Sequence, residues 1–114
     1  MRAMAIDTQT RLPILSAKIG GLSGAAIKPV AVRCVYELSE KLKLPIIGVG
    51  GITGWEDAVE FILAGASAIQ IGTAILQRDL HVFSEVVEGL SKYLDENGFK
   101  NVSEIVGLAH SRPA

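Results

Sequence analysis

The sequence predicts an α/β fold, and more narrowly the C-terminal portion of a (β/α)8 barrel amounting to about three βα units. Short apolar runs without polar alternation, "PIIGV" from Pro45 to Val49 and "AIQI" from Ala68 to Ile71, read as strands covered on both faces. Each is followed by a segment of helical period, the pattern of parallel strands buried under helices. At 114 residues the chain supplies only about half of an eight-fold barrel, which usually needs roughly 200 residues or more. Alone, such a sheet would show two unpaired edges and bare apolar strand surface. Residues 1–114 are therefore expected to be one partial domain, completed by a further barrel half on the same or a separate chain, or by a second copy.

Taken in order, residues 1–24 hold a possible strand at Ala3 to Ile6, a possible hairpin arm in "RLPILSAKI" from Arg11 to Ile19, and the Gly-rich loop "GGLSG" from Gly20 to Gly24. The βα units occupy residues 25–98. Ile27, Val30, Ala31, Cys34, Val35, Leu38 and Leu42 fall at helical spacing, and Pro29 is tolerable only in a first turn, so this helix starts near Ile27. The strand in "LPIIGV" follows, and after Gly50 and Gly51 the pair Thr53 and Glu56 has capping-box spacing, which starts a second helix near Gly54. Its inward face is expected at Trp55, Ala58, Val59, Ile62 and Leu63, with Gly65 as a left-handed cap. The strand from Ser67 to Ile71 leads through Gly72 and Thr73 to a short helical turn. A third long helix carrying Leu80, Phe83, Val86, Val87, Leu90 and Leu94 stops at Asn97 and Gly98. Residues 99–114 form a tail with a weaker helical signal from Ser103 to Leu108.

Composition narrows the functional classes. With 49% hydrophobic residues and a net charge of -1, nothing points to nucleic acid or a membrane surface as partner. The apolar runs fall far short of the roughly 20 residues that span a bilayer, and "MRAMAIDTQTR" lacks a secretory layout, so a cytoplasmic setting is expected. One cysteine and two histidines offer neither an internal disulfide nor a metal-ligand cluster.

The glycines carry the chemistry. In barrels of this kind ligands sit at the C-terminal ends of the strands, and the loops after the last two strands commonly form a phosphate site. Gly50, Gly51, Gly72 and Thr73 occupy those places, and Gly24 brings a third stretch of bare backbone to the same rim. A phosphate needs several N–H donors within about 3 Å, which a Cβ would obstruct, and helix starts supply both amides and a favourable field. The competing explanation is that each glycine merely satisfies turn geometry. Three such loops together favour a phosphate-bearing ligand.

"GGLSGAAIKPVAV", "PIIGVGGIT" and "AGASAIQIGTA", with the distances between them, resemble the C-terminal part of the flavoprotein dihydroorotate dehydrogenases, most closely the class 1B form of archaea and many bacteria. The resemblance runs from about Ala3 to the third long helix. It implies an FMN-dependent TIM barrel that oxidises dihydroorotate to orotate in pyrimidine synthesis, with FMN contacts at Gly24, Gly50, Gly51, Gly72 and Thr73. It also implies an iron-sulfur and FAD subunit that passes electrons to NAD. The family's catalytic cysteine, its flavin-side lysines and most of its orotate-binding asparagines belong to the N-terminal half, and its Asn-Thr pair would fall just before Met1. No residue here is assigned a catalytic role, and the chain by itself is expected to be inactive.

Other candidates read as structural. Cys34 falls in the apolar register of its helix and is expected to be a buried small hydrophobe. Lys18 and Lys28 flank the Gly-rich loop and read as solvated, Asp7 and Arg11 as a surface ion pair, Trp55 as packing, and His81 and His110 as surface groups. Gln70, polar in an apolar strand, should find a hydrogen-bonding partner and look into the barrel. Two other functions stand beside the main one. One is a stand-alone or homodimeric half-barrel that binds a phosphorylated ligand without redox chemistry, and the other is a class 1A or dihydropyrimidine-related dehydrogenase.

Overall fold

A computed structural model describes residues 1–111, so the last three residues of the expected tail lie outside the described residues. The expected strand at Ala3 to Ile6 is divided into two. Strand β1 (Arg2–Ala3) pairs antiparallel with β4 (Gly20–Gly21), while β2 (Ile6–Asp7) pairs antiparallel with β3 (Leu12–Pro13). Each short strand finds a local partner, and Asp7 tightens the intervening turn by accepting the amides of Gln9 and Thr10 on Oδ1. That carboxylate is therefore used on backbone, and the expected Asp7–Arg11 ion pair is not formed. Arg11 meets Asp7 only through its own amide, which donates to the Asp7 carbonyl at 2.7 Å.

A 3-10 turn at Ala25–Ile27 leads into helix α1 (Lys28–Lys41), with Pro29 in the first turn where its missing N–H costs nothing. Strand β5 (Ile47–Val49), helix α2 (Trp55–Ala64) and strand β6 (Ala68–Gln70) follow, then the short helix α3 (Ala74–Arg78) and the long helix α4 (His81–Glu96). β5 and β6 pair in parallel, with Ile47 opposite Ala68 and Val49 opposite Gln70. Of the three expected βα units, two are therefore built among the described residues, preceded by α1. The tail forms 3-10 turns at Val102–Glu104 and Leu108–His110.

The core lies between the two-stranded parallel sheet and its helices. Ala58, Phe61 and Ala64 of α2 pack with Val82 and Val86 of α4, and Val35 of α1 joins them. Phe61 sits so close to β5 that a Cβ on Gly48 would lie 2.6 Å from its ring, so a bare strand position makes room for a large buried side chain. The C-terminal cap of α2 is Gly65, with φ of 129°, against Ser39 of α1. A second cluster of Ile62, Leu94 and Ile105 pins the tail to α2 and α4.

Trp55 packs as expected, though it stays partly open, whereas the expected burial of Cys34 fails. Trp55 is 37% exposed, its indole lying over Gly89 and tilted on Tyr93 with ring centroids 6.2 Å apart. Cys34 is exposed, as are Val30 and Leu38 beside it on the apolar face of α1. Helical period assigns a residue to a face, whereas burial requires an element to cover that face, and none of the described residues covers this one.

Candidate functional site

Because β5 and β6 are adjacent and parallel, the loops that leave them emerge side by side. The loop of residues 22–24 before the 3-10 turn joins them. Together they line a concavity of about 140 Å³ that brings together all five residues singled out in the sequence: Gly24, Gly50, Gly51, Gly72 and Thr73. Ser23 and Gln77 line it as well, and Gln70 reaches its rim as an exposed side chain with no hydrogen-bonding partner among the described residues. The hydroxyl of Thr73 donates to Ser23 Oγ at 2.8 Å, which ties the first loop to the third. Sequence pattern did not single out Ser23 for this, although it lies within the Gly-rich loop.

The glycines do different jobs. Gly51 has φ of 75°, and a Cβ there would come within 2.8 Å of both the Gly24 carbonyl oxygen and Lys28 Cβ. Its bare backbone is required by packing. Gly72 is free of both constraints: its φ is not positive, and a Cβ on it would meet nothing within 4 Å. Gly72 lines the concavity, and among the described residues no turn, cap or loop hydrogen bond uses the amides of Gly51, Gly72 or Thr73. These donors can serve an anion.

Among the described residues no charged side chain lines the hollow. Lys18 is exposed and not part of it. Lys28, nearest by sequence, is committed elsewhere: its Nζ lies 2.7 Å from Asp57 Oδ1 and 2.9 Å from Glu60 Oε2. Hydrogen bonds to Asp57, then to Glu60, raise its pKa above the ordinary 10.5. Asp57 also accepts the Thr53 N–H and the Thr53 hydroxyl, each at 2.9 Å, on Oδ2. Burial alone would push this carboxyl up, but the Lys28 ammonium and the two Thr53 donors outweigh it and hold the carboxyl below 3.8. The expected Thr53–Glu56 capping box is thus replaced by Thr53–Asp57. Gly54 is the cap residue of α2, which makes Asp57 the third residue of the helix. Asp57 in this way fills the anion seat at the start of α2 with the protein's own carboxylate.

The remaining candidates fall outside the hollow. His81 is the exposed first residue of α4. His110 is half-buried rather than a surface group: its Nε2 lies 2.8 Å from the Ala64 carbonyl oxygen, and its ring stacks on Tyr36 with centroids 4.0 Å apart.

The dihydroorotate dehydrogenase family model matches residues 1–94. The chain belongs to the dihydroorotate dehydrogenase family. It is 60% identical over 109 residues to the dihydroorotate dehydrogenase B (NAD(+)) catalytic subunit of Pyrococcus furiosus, covering 96% of this chain and 36% of that protein. The protein of the same name from Methanosarcina mazei is 49% identical over 110 residues, again covering 96% of this chain and 35% of the relative. Among solved structures, a ligand-free dihydroorotate dehydrogenase from Eimeria tenella superimposes with a TM-score of 0.77 at 36% identity, over 82% of this chain and 26% of that one. The chain therefore spans roughly a third of the length of the curated relatives it matches. Among the described residues no helix is long and apolar enough to cross a membrane.

Proposed function

We propose that this chain is the FMN-phosphate-holding portion of a class 1B dihydroorotate dehydrogenase catalytic subunit, acting in pyrimidine synthesis. Residues 1–114 are then one partial domain, the C-terminal portion of a TIM (β/α)8 barrel, with an entry segment at 1–24, βα units at 25–98 and a tail at 99–114. The observation that carries the reading is Gly72, whose missing side chain neither backbone conformation nor packing demands and which is among the residues that line the shared hollow. The amides of Gly51, Gly72 and Thr73 with the Ser23–Thr73 hydroxyl pair would hold the phosphate, and Gly24 and Gly50 let the backbones converge. Bound there, FMN would supply the hydride-accepting redox chemistry of dihydroorotate oxidation, a reaction that also needs a base for the neighbouring proton.

Among the described residues, none that lines the hollow carries a side chain suited to be that base. Cys34 lies on the exposed apolar face of α1, in a groove with Ile47 and Val49 of β5, and not in the hollow. The base and most substrate contacts are accordingly assigned to the rest of the relatives' length. The words "catalytic subunit" and "NAD(+)" in the relatives' names support a second, electron-transferring subunit, by resemblance one carrying an iron-sulfur cluster and FAD. A cytoplasmic location belongs to the same reading. The test is twofold. Purified chain should quench flavin fluorescence on titration with FMN and bind riboflavin more weakly. The same chain with dihydroorotate, FMN and an electron acceptor should form no orotate.

A second reading is favoured by the exposed apolar face of α1 at Val30, Cys34 and Leu38. It is a homodimeric half-barrel that binds a phosphorylated ligand without redox chemistry. A colourless, stable dimer that takes inorganic phosphate as readily as FMN would select it.

A further inference from the structure

Thr53 closes the loop that carries Gly50 and Gly51, and three elements hold it. From α2, Asp57 takes its amide and hydroxyl. From α1, Lys28 fixes Asp57 at 2.7 Å. From the end of α3, the Arg78 guanidinium donates to the Thr53 carbonyl and is itself paired with Glu85 of α4. Every conventional hydrogen-bonding group of Thr53 is thus engaged. Lys28 contributes twice, since its own amide nitrogen and Cβ form the wall against which Gly51 packs. Movement of Thr53 would therefore carry Gly51 away from Gly24 and open the hollow on one side.

We propose that Lys28, Asp57 and Arg78 are positioning residues for the anion seat, clamping Thr53 from three elements so that the Gly50–Gly51 backbone is held against Gly24. The clamp rests on the FMN-phosphate reading for its ligand, but its action on the loop does not depend on it. None of the three is among the residues that line the hollow. Asp57 spends the donors of Thr53 internally and so directs an incoming phosphate away from the start of α2, toward Gly72 and Thr73.

The test uses the full 114-residue chain with Lys28→Met, Asp57→Asn, Arg78→Met, the conservative Lys28→Arg, and Glu60→Gln as a control at a half-exposed partner. Circular dichroism and a cooperative unfolding transition establish that each variant folds. Hydrogen exchange at the Thr53 amide is measured without ligand, and affinities for FMN and riboflavin by fluorescence quenching. Lys28→Met and Asp57→Asn are expected to speed Thr53 exchange and to weaken FMN about 10- to 100-fold, the range for a hydrogen bond to a charged group. Arg78→Met is expected to weaken FMN in the same direction. Riboflavin, which lacks the phosphate, should bind the variants as it binds the parent chain. Lys28→Arg should recover most of the loss, and Glu60→Gln should resemble the parent. Unchanged exchange and FMN affinity in Lys28→Met and Asp57→Asn, or equal losses for FMN and riboflavin, would overturn the clamp. A parent chain that binds no FMN overturns the cofactor reading instead, and Thr53 exchange then decides on its own whether these residues hold the loop.

Discussion

The backbone of Gly51 lies against that of Gly24, so close that a Cβ on Gly51 would stand 2.8 Å from the Gly24 carbonyl oxygen. Gly51→Ala combines a left-handed backbone with overlap against fixed main chain and should destabilise the chain by about 2–4 kcal/mol. Gly72→Ala meets no neighbour within 4 Å and should leave stability unchanged within about 0.5 kcal/mol, yet weaken FMN about 10-fold or more by intruding on the amide donors. Urea unfolding and flavin titration of the two variants separate a glycine required by packing from one required by a ligand. Equal stability losses would remove the case for Gly72.

The ion pair at Thr53 sets a pH window. Asp57 titrates below its ordinary 3.8 in the folded chain, so its contribution to stability is present above that value and is lost as pH falls through the folded pKa. Lys28 titrates above 10.5, so its contribution holds below that value and is lost as pH rises through the folded pKa. Urea midpoints from about pH 2 to 7 should show Lys28→Met less stable than the parent at neutral pH, with the gap closing at the acid end. A constant gap would mean that Lys28 acts by packing alone.

Cys34 reports on the uncovered face of α1. Its thiol is exposed and should react fully with a thiol-specific reagent in the chain by itself. When the remaining part of a B-type catalytic subunit is supplied as a separate polypeptide, labelling should slow at least 10-fold as this face is covered. Unaltered labelling in a complex that has recovered orotate formation would show that this face is not where the barrel continues.

His110 fastens the tail. Its contact with the Ala64 carbonyl and its stack on Tyr36 join residues far apart in the chain. His110→Ala should cost about 1–2 kcal/mol and raise hydrogen exchange in the turn at Leu108–His110 without changing flavin affinity. A loss of flavin affinity would connect the tail to the seat in a way the geometry does not.

Much of this was legible because it is local. Pro29 marks the first turn of α1, Gly65 caps α2, and Gly24, Gly51 and Gly72 sit in turns whose chemistry is written in adjacent residues. What was not legible lies across the chain. The Lys28–Asp57 bond joins residues 29 positions apart and Arg78–Thr53 spans 25, so no window of sequence contains either pair. The capping box was misread by one position, since Gly54 and not Thr53 is the cap residue of α2, which moves the returning carboxylate from Glu56 to Asp57. Period placed Cys34 on the right face, and only the arrangement of neighbours shows that face bare.

The hollow is lined by glycine, small hydroxyl, amide and aliphatic residues, without a titrating side chain among them. A seat of that composition is silent to acid and base: the protein contributes geometry, and proton chemistry belongs to the guest. On the phosphate reading proposed above, the pH dependence of binding across the window in which Asp57 and Lys28 both stay charged would report the ligand's own second ionisation, near pH 6 for a phosphate monoester.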